Sequence, residues 1–197
     1  MLPVAVTDPS CRLSVLVVEQ TSPRRALVEQ FIRDCYRREF GAELYHFLPR
    51  LLVVQEGDDI VAAAGFGGAA GRALFLEQYL DEPIEQVLLH QAQIALARGA
   101  IVEVGNLAAV GAGGARLLIA AMTRHLHHCG FTYVVFTGTR SLRNAFRRLG
   151  MLPLAIAPAD PSRLGSEAQH WGRYYQEQPQ VMAGPIAVGY RQLEKQP

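Results

Sequence analysis

The run Ile101 to Leu118, IVEVGNLAAVGAGGARLL, restricts the fold more than any other part of this chain. A β-rich segment passes through a glycine-rich turn straight into a helical pattern. A unit of that kind buries both parts only in a sheet with the helix laid across one face. Ile101 to Ala108 is the best central-strand candidate, and Val110 to Ala115 is the turn. Arg116 to Cys129 reads as a helix with Leu117, Leu118, Ala121, Met122 and Leu126 apolar, ended by Gly130. Thr132 to Thr137 (TYVVFT) is a further buried strand, and Leu142 to Leu149 a short basic helix closed by Gly150.

The remaining chain extends the same pattern. Leu13 to Val18 (LSVLVV) reads as a first strand. Ser22 as cap and Pro23 as first helical residue open a helix that runs to Gly41, with Val28, Phe31, Ile32 and Cys35 inward and most arginines outward. Ala42 to Pro49 reads as a short second helix. Leu51 to Gln55 and Ile60 to Gly65 form an antiparallel hairpin about Glu56 to Asp59. Leu74 to Leu80 is extended or mixed, Pro83 opens a helix to about Ala97, and Ala187 to Leu193 is a last strand. With no repeat and no linker, the expectation is a single α/β (α+β) domain over 1–197, a mixed central sheet with helices on both faces.

Composition narrows the function classes. Half of the 197 residues are apolar, ample for a core, and 19 Lys plus Arg against 18 Asp plus Glu leave a net charge of +1. A strongly basic nucleic-acid surface is therefore not expected. Lys195 is the one lysine, so catalysis by a core lysine is excluded. Three scattered cysteines (Cys11, Cys35, Cys129) point to a reducing compartment, and the MLPVAVTDPS start lacks signal-peptide regions. The expectation is a cytoplasmic protein without a membrane span.

Chemistry concentrates around the glycine turn. Gly111, Ala112, Gly113, Gly114, Ala115 and Arg116 offer converging backbone N–H groups, a helix N-terminus and one full positive charge, a site for a phosphate or diphosphate. No Gly-Lys-Ser/Thr follows, so this is not a P-loop. Glu103, between Val102 and Val104, is a carboxylate in an apolar strand, where a raised pKa suits a general base. Strict alternation places Asn106 on the opposite face, unless Gly105 marks a bulge that brings the two together. Glu77, crowded by Phe75, Leu76 and Leu80, is a candidate for recognising a substrate amine. Asn144, flanked by Arg140, Arg143, Arg147 and Arg148, is a candidate partner for cofactor phosphates, against a plain solvated helix face. His125, His127, His128 and Cys129 lack a second ligand pair, and no metal is expected.

The ordered series FGAELYHFLPRLL, LFLEQYL, EVGNLA, GGARLL, VVFTGT, LRNAFRRLG and WGRYY before PQVMAG resembles the thermostable haemolysin family of bacterial proteins, from about Phe31 to Leu193. The middle of the chain more distantly resembles the GNAT acetyltransferase fold and the acyl-homoserine-lactone synthases. That resemblance implies that a pantetheine arm, from acetyl-CoA, acyl-CoA or acyl carrier protein, pairs with backbone near Leu107 and Ala109, its phosphates meeting the amides of Gly111 to Arg116. Three positions depart from the pattern: Val110 starts the loop where Gln or Arg is usual, Asn144 is offset from the usual Asn, and Phe146 replaces a Tyr acid. The expectation is an N-acyltransferase with Glu103 as base, Asn106 orienting the base or the carbonyl, and Glu77 holding a small-molecule amine acceptor. A membrane-active haemolysin, an acyl-homoserine-lactone-type synthase and a non-catalytic CoA-binding module remain alternatives, and self-association is left open.

Overall fold

The computed structural model describes residues 13–111 and 113–195; Cys11 and Ala112 lie outside the described residues. Seven strands form one sheet in the order β1-β2-β3-β4-β5-β7-β6. They are β1 (Leu13–Val18), β2 (Arg50–Glu56), β3 (Asp59–Gly68), β4 (Ile101–Ala109), β5 (Tyr133–Gly138), β6 (Leu154–Pro158) and β7 (Gln180–Pro185). The helices are α1 (Arg25–Phe40), α2 (Ile84–Ala92), α3 (Gly114–His128), α4 (Arg140–Arg148) and α5 (Ile186–Leu193). Only β4 and β5 pair in parallel, so the sheet is mixed, and the connection between them is α3.

Both faces are covered, which explains the uninterrupted apolar runs. In β2, Leu52 and Val54 meet α3 residues Leu118, Ile119 and Met122, while Leu51 and Val53 meet Val28 and Ile32 of α1. A strand buried on both sides has no polar face, and LLVV is the result. Further along the same side as α1, Ile84, Val87 and Leu88 of α2 pack with Ile101 of β4 and Val135 of β5.

Four local expectations need correction. Residues 42–49 form no helix, because their backbone groups bond to distant partners: Glu43 N–H to His170 O, and Leu48 N–H to the Asn106 side chain. The first helix starts at Arg25, and the Ser22 hydroxyl accepts only the Arg24 N–H, before the helix begins. The helix after Pro83 ends at Ala92, where Gln93 takes a left-handed φ of 57°. Ala187 to Leu193 is helix α5, with Ile186 and Leu193, seven apart, both buried; the last strand is β7 just before it.

The sheet carries one irregularity that positions everything below. Ala63 pairs with Ala108 and Gly65 with Gly105, so the single residue Ala64 opposes both Asn106 and Leu107. This is a β-bulge in β4, with Asn106 at φ 52°. The extended segment before β2 crosses above it: Leu48 N–H donates to Asn106 Oδ1 (3.0 Å), and Asn106 Nδ2 donates to His46 O (3.0 Å). Two paired glycines make the crossing possible. A Cβ on Gly65 would stand 2.8 Å from Asn106 Oδ1 and 2.9 Å from Leu48 Cβ, and one on Gly105 would stand 3.2 Å from Leu48 Cδ1. Gly65→Ala is therefore expected to lower the unfolding free energy by about 1–3 kcal/mol through overpacking. Urea denaturation checks this, and an unchanged midpoint would show that the crossing segment moves freely.

Candidate active site

Beyond the Val104–Phe136 pair, β4 runs on to Ala109 and β5 to Gly138 without pairing to each other. A cavity of about 1050 Å³ occupies the gap. Its wall takes Tyr36 and Phe40 from α1 on one side of the sheet, and Leu118 and Met122 from α3 on the other. Glu103, Gly105, Asn106 and Leu107 line it between these two limbs. The α3 limb is apolar, with Ile119, Leu126, Met151 and Ile186 on its wall.

A second hollow of about 260 Å³ lies at the start of α3, lined by Gly113, Arg116, Ser141, Asn144 and Arg148 among others. Ala115 and Ser141 line both hollows, so they adjoin. The glycines set this geometry. Gly111 and Gly113 have φ of 76° and 122°, which L side chains rarely adopt. Gly114 sits close on β4, where a Cβ would lie 3.1 Å from Ala109 Cβ. The result is a helix N-terminus, the positive end of its dipole, at a hollow flanked by two guanidiniums. Asn144 thus joins Gly113, Ala115 and Arg116, and Leu107, Ala109 and Gly111 line the larger cavity beside them.

Glu103 is buried, 3% exposed, and is held by three donors. Leu76 N–H reaches Oε1 at 2.9 Å, while Phe75 N–H (3.2 Å) and Arg72 Nη2 (3.0 Å) reach Oε2. Burial pushes its pKa up, the two amides and Arg72 pull it back, and the net shift is upward. Of the four lone-pair directions of a carboxylate, three are engaged, which leaves one on Oε1. Asn106 lines the same cavity through the bulge, as a bulge at Gly105 would require.

Glu77 does not join them. Its carboxylate is gripped by Arg98 through both guanidinium nitrogens (2.7 and 2.8 Å) and accepts the N–H groups of Leu74 (2.8 Å) and Ile84 (2.9 Å). It closes the 3-10 turn Phe75–Tyr79 and does not line the cavity, so the acceptor-binding role expected of it is not supported. Its task is to fix the segment whose amides hold Glu103. Burial raises its pKa, but the Arg98, Leu74 and Ile84 hydrogen bonds outweigh that and hold it below the ordinary carboxylate range.

At the site, Arg72 carried no sequence signal. Arg72 stands in a glycine- and alanine-rich stretch, with nothing nearby to mark its partner 31 positions on. Tyr79 and Tyr175 share a hydroxyl–hydroxyl hydrogen bond of 2.6 Å across 96 residues. Phe146 stacks on Phe136 with ring centroids 4.9 Å apart, so that position supplies no hydroxyl to the cavity it lines. The histidines near the end of α3 have ordinary packing roles: His127 stacks on Tyr190 and His125 meets Phe66 edge-on.

A family model described as thermostable hemolysin matches residues 18–190. The chain belongs to the thermostable hemolysin family. No curated protein sequence matches it significantly. Among solved structures it is similar to BjaI, a CoA-dependent acyl-homoserine lactone synthase with SAM and isopentyl-CoA, at TM-score 0.60 and 13% identity, covering 91% of this chain and 87% of that one. It is similar to FeeM, an N-acyl amino acid synthase from uncultured soil microbes, at TM-score 0.59 and 13% identity, covering 90% and 93%. A third, a putative N-acetyltransferase from Lactobacillus plantarum, gives TM-score 0.56 and 13% identity, covering 88% and 98%. At such identities the likeness establishes the GNAT-like fold.

A stability prediction follows from Glu77. Its folded-state pKa is depressed, so its stabilisation is present above the ordinary carboxylate range and is lost as pH falls through the depressed value. Glu77→Gln is expected to cost about 1–3 kcal/mol at neutral pH, with the gap closing on acidification. Urea titrations across a pH series check this, and a pH-independent gap would count against the ion pair as its source.

Proposed function

We propose that this member of the thermostable hemolysin family is an acyltransferase that moves an acyl group from an acyl-CoA or carrier-protein thioester to an amine. The observation that carries the reading is the cavity through the sheet at the bulge, with Glu103 on its wall and a second hollow of about 260 Å³ beside it at the start of α3. The fold shared with a CoA-dependent synthase and an N-acyl amino acid synthase supports it.

In this reading the diphosphate sits at the amides from Gly113 onward, with Arg116 and Arg148 supplying charge and Asn144 a neutral donor. The pantetheine arm enters along the edge of β4 from Gly105 to Ala109, which β5 leaves without a strand partner. The acyl chain occupies the limb between α3 and α5. The amine enters from the α1 side and meets the thioester carbonyl at the bulge. Its nitrogen attacks the carbonyl carbon, a C–N bond forms, and the C–S bond breaks with its electron pair leaving on sulfur. Glu103, directly or through one water at its free Oε1 direction, takes the proton from nitrogen. Returning that proton to the thiolate leaves an amide and a free thiol. The buried site keeps the base's pKa raised, which favours proton acceptance at neutral pH.

No hydroxyl stands at Phe146, so the thiolate's proton must come by another route. Thr137, Thr139 and Ser141 line the cavity near the end of β5, with the Thr139 hydroxyl accepting Leu142 N–H. Asn106 acts through position: its amide ties the bulge to Leu48 and His46, which keeps the β4 edge open.

The test is thiol release from acyl-CoA in the presence and absence of an amine panel. Release only with an amine is expected, whereas dye leakage from liposomes without any thioester would favour membrane lysis instead. Because each buried methylene contributes about 0.8 kcal/mol, kcat/KM should rise steadily from acetyl- to octanoyl-CoA; a preference for acetyl would show that the α3 limb is not the acyl site. Glu103→Gln should retain the fold and lower kcat by about 100-fold or more, and undiminished turnover would remove Glu103 from the mechanism. Arg116→Ala should weaken CoA binding by about tenfold, read by calorimetry, with unchanged affinity placing the phosphates elsewhere.

A further inference from the structure

We infer that the acceptor taken at this site is an amine with a second positive charge, a diamine or polyamine, and not an amino acid with a free carboxylate. The inference rests on the acyltransferase reading and names its substrate class.

The limb of the cavity on the α1 side is walled by aromatic rings. Tyr36 lies 5.6 Å from Phe40 and 6.4 Å from Trp171, and Tyr174 lies 5.2 Å from Phe40 and 5.0 Å from Trp171, centroid to centroid. Ring faces open to the cavity attract a cation, whereas a carboxylate could meet only the Tyr hydroxyls and the Trp171 N–H. The charges on the cavity wall have the same bias. Four carboxylates line it, Glu39, Glu43, Glu103 and Glu167, against a single guanidinium, Arg72.

Arg72 has four of its five N–H donors engaged. It donates to the carbonyls of Gly67 (3.2 Å), Gly68 (3.0 Å) and Ala73 (3.5 Å), and to Glu103 Oε2 (3.0 Å). Arg33, Arg38 and Arg173 do not line the cavity, and each has a contact elsewhere. Arg33 bonds Glu29 and Leu44 O and lies over the Phe47 ring, Arg38 reaches Cys35 Sγ, and Arg173 reaches the backbone oxygen of Glu39. Of the imidazoles, His46 stands 3.8 Å from Glu167, and His170 lies edge-on to Tyr45. A carboxylate on the acceptor would therefore enter a limb of like charge, where among the described residues no arginine besides Arg72 lines the wall. A second ammonium would find rings and carboxylates.

Glu39 sharpens the point. Its carboxylate makes no hydrogen bond or ion pair among the described residues, and its pKa is raised by burial and by Glu177, against a smaller lowering by Arg38. A bound cation would relieve that repulsion. Glu43 accepts the Tyr45 hydroxyl at 2.7 Å, which leaves its other oxygen available.

The chemistry is that of the parent reaction. The reactive nitrogen loses its proton and attacks, while the second ammonium stays protonated and anchors the acceptor.

The experiment compares three acceptors of similar length with octanoyl-CoA: 1,4-diaminobutane, pentylamine and 4-aminobutanoate. Expected kcat/KM values place the diamine about tenfold or more above pentylamine, and the carboxylate lowest. The diamine's advantage should shrink as NaCl is raised. The Glu39→Gln, Glu43→Gln double substitution should reduce that advantage to about twofold or less. Equal rates for diamine and pentylamine, or a preference for the carboxylate, would overturn the inference and leave the acyltransferase reading standing. Thiol release with none of the three would instead sink the acyltransferase reading. Calorimetric binding of the same three compounds then decides the charge preference directly: tighter binding of the diamine supports it, and equal or weaker binding ends it.

Discussion

The bulge at Asn106 and Leu107 is the constraint on which the rest of the structure depends. Two residues of β4 opposite one of β3 turn the strand's edge and bring Asn106 into the cavity wall, at the cost of a left-handed backbone at a non-glycine residue. That strain is of order 1–3 kcal/mol, and the surroundings hold it in place. The Asn106 amide bonds both a donor and an acceptor of the segment that crosses above, so its oxygen and its nitrogen are both engaged. The glycine pair at 65 and 105 then has a clear purpose: any side chain there would occupy the space that Leu48 and Asn106 require.

Glu103 depends on this frame from the other side. A buried carboxylate is expensive unless its lone pairs are met, and here the donors come from the segment 72–76. That segment is in turn fixed by Glu77 and Arg98, an ion pair with a third member in Glu85 at 2.6 Å. The two acidic residues singled out in the sequence therefore belong to one device with different tasks. Glu103 faces the cavity with one lone pair free, and Glu77 secures the loop that shapes its surroundings. An apolar neighbourhood marked both of them; what distinguishes Glu77 is that Arg98, 21 positions away, takes both of its oxygens, and no local pattern encodes that distance.

The same distinction explains what was legible elsewhere. Strand β4, the glycine turn and α3 are local: hydrophobic period, φ-permissive residues and a helix start lie within one short stretch, and their placement followed. Gly105 in mid-strand announced the bulge. Residues 42–49 did not announce themselves, because nothing within them says that Glu43 will bond His170 or that Leu48 will bond Asn106. Helix α5 was obscured differently. Gly189 in its middle weakens helix propensity and Val188 and Tyr190 favour strand, yet Ile186 and Leu193 bury against the α3 face, and tertiary packing decided the outcome. A Cβ at Gly189 would lie 3.3 Å from Thr123 Cγ2, so the glycine that misleads the local reading is also what lets the two helices approach.

The two limbs of the cavity differ in the physics they offer, and that difference gives the site a direction. On the α3 side, aliphatic side chains and methionines reward burial of methylene groups in proportion to length, with no preference for shape beyond fit. On the α1 side, rings and carboxylates select by charge. A thioester lying along the open edge of β4 would have its acyl chain drawn to the first and its carbonyl left at the junction, beside Glu103. An acceptor entering from the second would meet that carbonyl from the opposite side of the sheet. A sheet that stayed paired from β4 to β5 along its full length would close that route, because its backbone hydrogen bonds would fill the gap. The divergence of two strands beyond Val104 and Phe136 is thus what converts a two-sided core into a single through-cavity, and the bulge at Asn106 lies directly beyond that point.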